Sequence, residues 1–187
     1  MKEAETVKMF RRKFLASSSF LLLGAGALDT FPFPLQTTPK GPDLRENLSP
    51  DELIAVNNSA IASDMQNFWG KGYSCAETGL AVALRFLKKP EDLLWVAGGF
   101  GGGMGHQDLC GFLTAGIMAI GLYAGTLKTD KKDAKALCGR KVKEYWDYWT
   151  SIAPLHCAEI REGRKDFKVC HRLGQLASAR LEELLKA

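Results

Sequence analysis

The 187-residue chain has five cysteines, but no two of them form a C-x-x-C pair. That excludes a zinc ribbon and a thioredoxin-type pair. The absence of C-x-x-C-H likewise excludes covalent c-type haem. The segment GGFGGGMGHQDLCG, residues 98–111, holds seven glycines. None falls at the i, i+2, i+5 spacing of a dinucleotide fingerprint, and no Gly-Lys-Ser/Thr follows, so nucleotide binding is rejected. Histidines number three. No residue pattern marks a substrate pocket with general acid–base chemistry. The chain has no internal repeat, no low-complexity run and no convincing strand alternation.

Charge is also scarce where it would matter. Residues 1–27 hold five basic residues against two acidic ones, which accounts for three of the four net positive charges. The nearly neutral remainder gives no electrostatic reason to expect nucleic acid as a partner.

The N-terminus has a basic start, an uncharged stretch from Phe14 to Leu28, and a small-x-small site at Ala25-Gly26-Ala27. This is the layout of an export signal over residues 1–27. Arg11-Arg12-Lys13-Phe14-Leu15 resembles the twin-arginine pattern, with Phe10 where Ser or Thr is common. That route exports folded proteins, often with a cofactor already loaded. The expected location is the periplasm. Residues 28–48 carry four of the seven prolines and read as an extended linker.

From residue 49 onward everything reads helical, so the expected fold is an all-α bundle of about five to seven helices over 49–187. Ser49, Pro50 and Glu52 form a capping box with proline at the first helical position. The spacing predicts one helix from there to about Trp69. Ser74 and Glu77 repeat the box for a helix reaching Leu87, and a short helix follows near Pro90. No residue from Leu109 to Leu127 is charged, and four glycines and three alanines among them favour close helix contact. At the lower limit of spanning length, this segment reads as the central helix of the bundle rather than a membrane span. A helix over Asp130–Ile152 carries a stripe of Cys138, Val142, Tyr145, Trp149 and Ile152, suited to core or to a homodimer interface. A short helix near Cys157, a basic loop and a last helix from about Phe167 complete the chain.

On this map Cys75, Cys110, Cys157 and Cys170 all fall at helix starts. Helix N-termini present unpaired N–H groups and partial positive charge, which favours thiolate over thiol. Thiolates are the ligands that soft metals and iron–sulfur clusters require. A metal or redox centre, two disulfides, and plain burial of small apolar groups are all readings of these four residues. Cys138 stands apart, mid-helix, and reads as inert. His106, in the glycine run, is the best histidine candidate for a ligand or hydrogen-bond donor. His156 and His171 read as surface or supporting groups. Gly102, Gly103, Gly105 and Gly111 would let backbone N–H groups approach such a centre.

GYSCAETGLAVAL (72–84), GGFGGGMGHQDLCGFLTAGIMAIGL (98–122) and the lone cysteines at 157 and 170 resemble the C_GCAxxG_C_C family. The resemblance runs from about Gly72 to the C-terminus. It implies a redox-active protein whose four characteristic cysteines are Cys75, Cys110, Cys157 and Cys170, with Cys138 outside the set. It also implies a prosthetic group such as an iron–sulfur cluster, and some members carry twin-arginine signals. Phe112 and Ala115 depart from the family's C-G-A-x-x-G, a change that bears on packing more than on ligation. The same segments are similar to the helical part of split-Soret cytochrome c, an exported dimeric haem protein. Its attachment motifs are missing here, so only noncovalent haem on the histidines could carry over. The expectation is an exported electron-transfer protein with a redox partner in the periplasm. A thiol–disulfide redox protein and a metal carrier are the alternatives.

Overall fold

The computed structural model describes residues 48–187. The expected export signal and nearly all of the expected linker lie outside the described residues.

The described residues form seven α-helices and no β-strand. Helix α1 spans Pro50–Asn57 and α2 spans Ala60–Asp64, followed by a 3-10 turn at Met65–Asn67. The expected single helix to Trp69 is thus broken at residues 58 and 59. The reason is a second cap. Ser59 is extended and its side chain accepts a hydrogen bond from the Ala62 N–H at 3.1 Å. The Ser59 hydroxyl also donates to the Glu182 carboxylate at 2.7 Å, a partner far along the chain.

Helix α3 is Cys75–Phe86, and its capping box of Ser74 and Glu77 is fully formed. The segment after Pro90 is a 3-10 helix, Glu91–Ala97, rather than an α-helix. Helix α4 is Gly111–Leu127, α5 is Lys131–Ile152, α6 is Cys157–Arg161 and α7 is Lys168–Lys186.

Helix α4 is the centre of the bundle and packs against α3, α5 and α7. Its small residues explain why. A β-carbon at Gly79 of α3 would lie 3.0 Å from Ala115, and one at Gly116 would strike the Tyr145 ring at 2.3 Å. Backbones this close leave no room for larger side chains, and every displaced methylene is felt in so dense a core. Tyr145, Trp149, Leu80, Leu84, Leu113, Ile120 and Leu173 fill the interior. Among the described residues, no helix is long and apolar enough to cross a membrane. The uncharged α4 is a bundle helix.

Candidate functional site

Four of the five cysteines stand at the starts of four different helices. Cys75 is the first residue of α3, directly after its cap Ser74. Cys110 is the residue that precedes and caps α4. Cys157 opens α6, and Cys170 is the third residue of α7. Cys110 is buried at 7% exposure, and the other three are partly buried. Their sulfurs lie within electrostatic reach of one another. The charge Cys75 would carry acts on Cys110, Cys157 and Cys170, and that of Cys170 acts on Cys110. Cys138 has no part in this set and packs half-buried against the main core from mid-α5. All five are free thiols, and no disulfide joins any two of them among the described residues.

The segments that bring the cysteines together are stitched by the main chain. The Cys110 N–H donates to the Leu155 carbonyl at 2.9 Å, and the Cys157 N–H donates to the Asp108 carbonyl at 2.7 Å. Leu109 and His156 form an isolated antiparallel bridge between these bonds. The far side of this strap is anchored by Trp149, whose indole N–H donates to the Pro154 carbonyl at 2.9 Å. The aromatic stripe of α5 therefore positions Cys157 as well as filling the core.

The glycine run does something other than cradle a ligand. Gly102, Gly103, Met104 and Gly105 all have positive φ, so the chain makes a left-handed turn there. L-residues resist that conformation, and glycine adopts it without steric cost. The turn is closed by the Asp108 N–H donating to the Gly103 carbonyl at 3.0 Å. A β-carbon at Gly103 would lie 2.5 Å from the Asp108 backbone, so the close approach is chain on chain. Gly102 and Gly105 face open space. Gly111 is different. A β-carbon there would stand 2.5 Å from the Cys75 sulfur and 2.9 Å from the Ala76 nitrogen. Of the glycines singled out in the sequence, Gly111 is the one packed against a cysteine sulfur.

The histidines divide differently. His106 is exposed and has no hydrogen-bond partner among the described residues. His156 Nδ1 lies 2.8 Å from the Asp108 carboxylate, on the strap that joins the glycine run to α6. His171 meets the Trp69 ring edge-on at 4.5 Å between centroids, and burial pushes its pKa down. Trp69 in turn stacks on Phe112 at 5.3 Å. That aromatic layer, whose Phe112 and His171 lie within two residues of Cys110 and Cys170 in the chain, is not legible from any local spacing, because its members come from three separated segments.

One expectation is overturned. Helix starts were expected to favour thiolate at these cysteines, yet burial raises Cys110, Cys157 and Cys170 instead. Burial, and then the neighbouring Cys75, push Cys110 from 9.0 up to about 12, and the nearby N–H groups of Phe112 and Leu113 recover only part of that. Cys170 is pushed up to about 11 by burial, against the opposing charge of Arg161. Cys157 is also raised by burial. Desolvation of a charged sulfur outweighs the helix ends here.

The donor set itself suits a thiolate-bound metal: four thiols converge at N–H-rich helix starts. Their spacing is not that of an assembled site. Among the described residues, no three His, Cys, Asp or Glu side chains stand together as a group able to hold a metal ion. Loading would have to draw the sulfurs inward and displace their protons.

No curated protein and no solved structure matches the chain, so the likeness to split-Soret cytochrome c rests on the quoted segments alone. A family model described as "Putative redox-active protein (C_GCAxxG_C_C)" matches residues 73–184, a span that takes in all four clustered cysteines and the strap between them, and the chain belongs to that family.

Proposed function

We propose that Cys75, Cys110, Cys157 and Cys170 form one redox centre that ligates an iron–sulfur cluster or a related thiolate-bound metal, in an exported electron-transfer protein. The observation that carries this reading is the convergence of four thiols from four separate helix starts, with Cys138 left out. A disulfide needs two cysteines, whereas a cluster takes four. When bound, such a centre supplies one-electron chemistry. The chain's own part is to bury Cys110 from water, to aim helix-start N–H groups at the sulfurs, and to hold Cys110 and Cys157 side by side through the strap. Export rests on the twin-arginine-like Arg11-Arg12-Lys13-Phe14-Leu15.

The test is an absorption spectrum with iron and sulfide analysis on protein purified without oxygen from cells using its native N-terminus. A broad band between about 400 and 450 nm that dithionite bleaches is expected for a thiolate-ligated cluster. Cys110→Ser should lose the band, and Cys138→Ala should keep it. Equal loss in both, or in neither, defeats the assignment.

A second reading is a thiol–disulfide protein that cycles a pair among the same cysteines. It is favoured by one observation: no three donors stand ready at metal spacing. It predicts a colourless protein whose thiol count falls by two on mild oxidation and recovers with a dithiol reductant.

A further inference from the structure

Residues 162–167, between α6 and α7, are exposed without interruption. Phe167 sits at the end of this loop with 51% of its surface exposed. Its ring is covered on one face by the Arg161 guanidinium, 4.0 Å from the ring centroid. Arg161 is followed by Arg164 and Lys165. None of these three pairs with a carboxylate among the described residues. Arg164 donates to the Ile160 carbonyl at 2.9 Å, and the Arg161 Nε is buried with no acceptor. The loop's two acids, Glu162 and Asp166, form no ion pair with any of the three. The Asp166 carboxylate accepts from the Lys168 backbone N–H at 3.1 Å and is turned to the start of α7.

The same loop borders the clustered cysteines. Arg161 is four residues from Cys157 on α6, hence on the same face of that helix. Phe167 precedes Cys170 by three residues at the start of α7. Inward, Phe167 meets Trp69 edge-on at 6.5 Å, and Trp69 stacks on Phe112, two residues past Cys110. An exposed ring thus connects by aromatic packing to the backbone beside the candidate centre.

We propose that this loop is a docking surface for an acidic redox protein, with Phe167 as the apolar contact and Arg161, Arg164 and Lys165 as the rim that reads the partner's carboxylates. The chemistry follows the usual division of such surfaces. An aromatic anchor supplies affinity, and unpaired like charges around it supply partner choice and on-rate. Arg161 and Arg164 donate to main-chain carbonyls, but no carboxylate among the described residues neutralises any of the three, so their charge is open to a partner. The proposal rests on the redox reading for the nature of the partner. The contact itself can be measured without any electron moving.

The experiment uses the full mature chain as isolated and a flavodoxin, a small acidic redox protein, as the probe. Binding is read by calorimetry, and electron transfer is read separately by flavin absorbance. Saturable binding is expected, weakening by about tenfold or more as salt rises from low to several hundred millimolar. Arg164→Gln/Lys165→Gln should weaken it by about tenfold, and Phe167→Ala by a similar factor, with helix content unchanged by circular dichroism. Lys131→Gln/Lys132→Gln, at the distant basic start of α5, should leave it unaltered. No binding, equal binding by a basic cytochrome c, insensitivity to the loop variants, or preferential binding to phosphatidylglycerol vesicles would each overturn the docking surface. Binding that follows the loop variants without electron transfer would sustain the surface and count against the redox reading alone.

Discussion

A β-carbon on Gly111 would stand 2.5 Å from the sulfur of Cys75. The first residue of the central helix is therefore shaped to the first residue of α3, and the contact fixes where one of the four sulfurs sits. Gly111→Ala must push that sulfur or separate the two helix starts. Overpacking of this kind costs about 1–3 kcal/mol. We expect the variant to stay helical, to lose about that much stability in denaturant, and to show Cys75 alkylated faster than in the wild type. An unchanged Cys75 rate would mean that the sulfur has room the structure does not show.

The Cys110 thiol gives a pH dependence whose sign is fixed. Burial raises it from 9.0 to about 12. The folded state therefore holds this proton where the unfolded chain, near pH 9.0, has begun to lose it. The stabilisation is complete below that unfolded value and disappears as pH rises toward 12. Metal-free protein should lose melting temperature between about pH 9 and 12, and Cys110→Ala should show a shallower fall over the same range. Cys110 should also be the last of the clustered cysteines to alkylate at pH 8. A slope unchanged in Cys110→Ala would remove burial of this thiol as its cause.

The sequence carried the helix starts well and their neighbours poorly. Ser49 with Glu52 and Ser74 with Glu77 are local signals, and both capping boxes form as their spacing indicates. The second box places Cys75 at a helix start, the uncharged run that opens at Leu109 does the same for Cys110, and the short and last helices near Cys157 and Phe167 for the other two. Two features did not follow. The break at Ser59 depends on Glu182, and the pairing of Leu109 with His156 depends on a segment 47 residues away. Neither leaves a local trace. The thiolate expectation failed at Cys110, Cys157 and Cys170 for the same reason. A helix start is visible in sequence, but the burial that overrides it is a property of the packed bundle.

Gly116 and Tyr145 give a test of the core itself. A β-carbon on Gly116 would meet the Tyr145 ring at 2.3 Å, while the Tyr145 hydroxyl donates to the Phe112 carbonyl at 3.2 Å. Space against the ring matters more here than the hydroxyl bond. Tyr145→Phe should cost only about 0.5–1.5 kcal/mol, the net worth of one hydrogen bond. Gly116→Ala should cost about 1–3 kcal/mol or more, because the ring has nowhere to go. Urea denaturation of both variants would decide it. A larger loss in Tyr145→Phe would show that the hydroxyl, not the close approach, holds α4 against α5.

Glu182 is the buried acid that ties the last helix to the first part of the bundle. It is 3% exposed, accepts from the Ser59 hydroxyl at 2.7 Å and the Ile61 N–H at 2.8 Å, and pairs with Lys186. Burial alone would raise its pKa, but the bonds from Lys186, Ile61 and Ser59 outweigh burial and hold it below 4.5. A depressed pKa means stabilisation that is present above the unfolded value and lost as pH falls through the folded one. Glu182→Gln keeps the shape but weakens bonds that were charge-assisted, so it should cost about 1–3 kcal/mol at pH 7. The gap between wild type and variant should then narrow in acid, once pH falls through the depressed folded-state pKa and the wild-type carboxylate itself takes up a proton. A gap that persists undiminished to pH 3 would show that the bonds need only an acceptor, not a charge, and that the tie between α2 and α7 is one of shape.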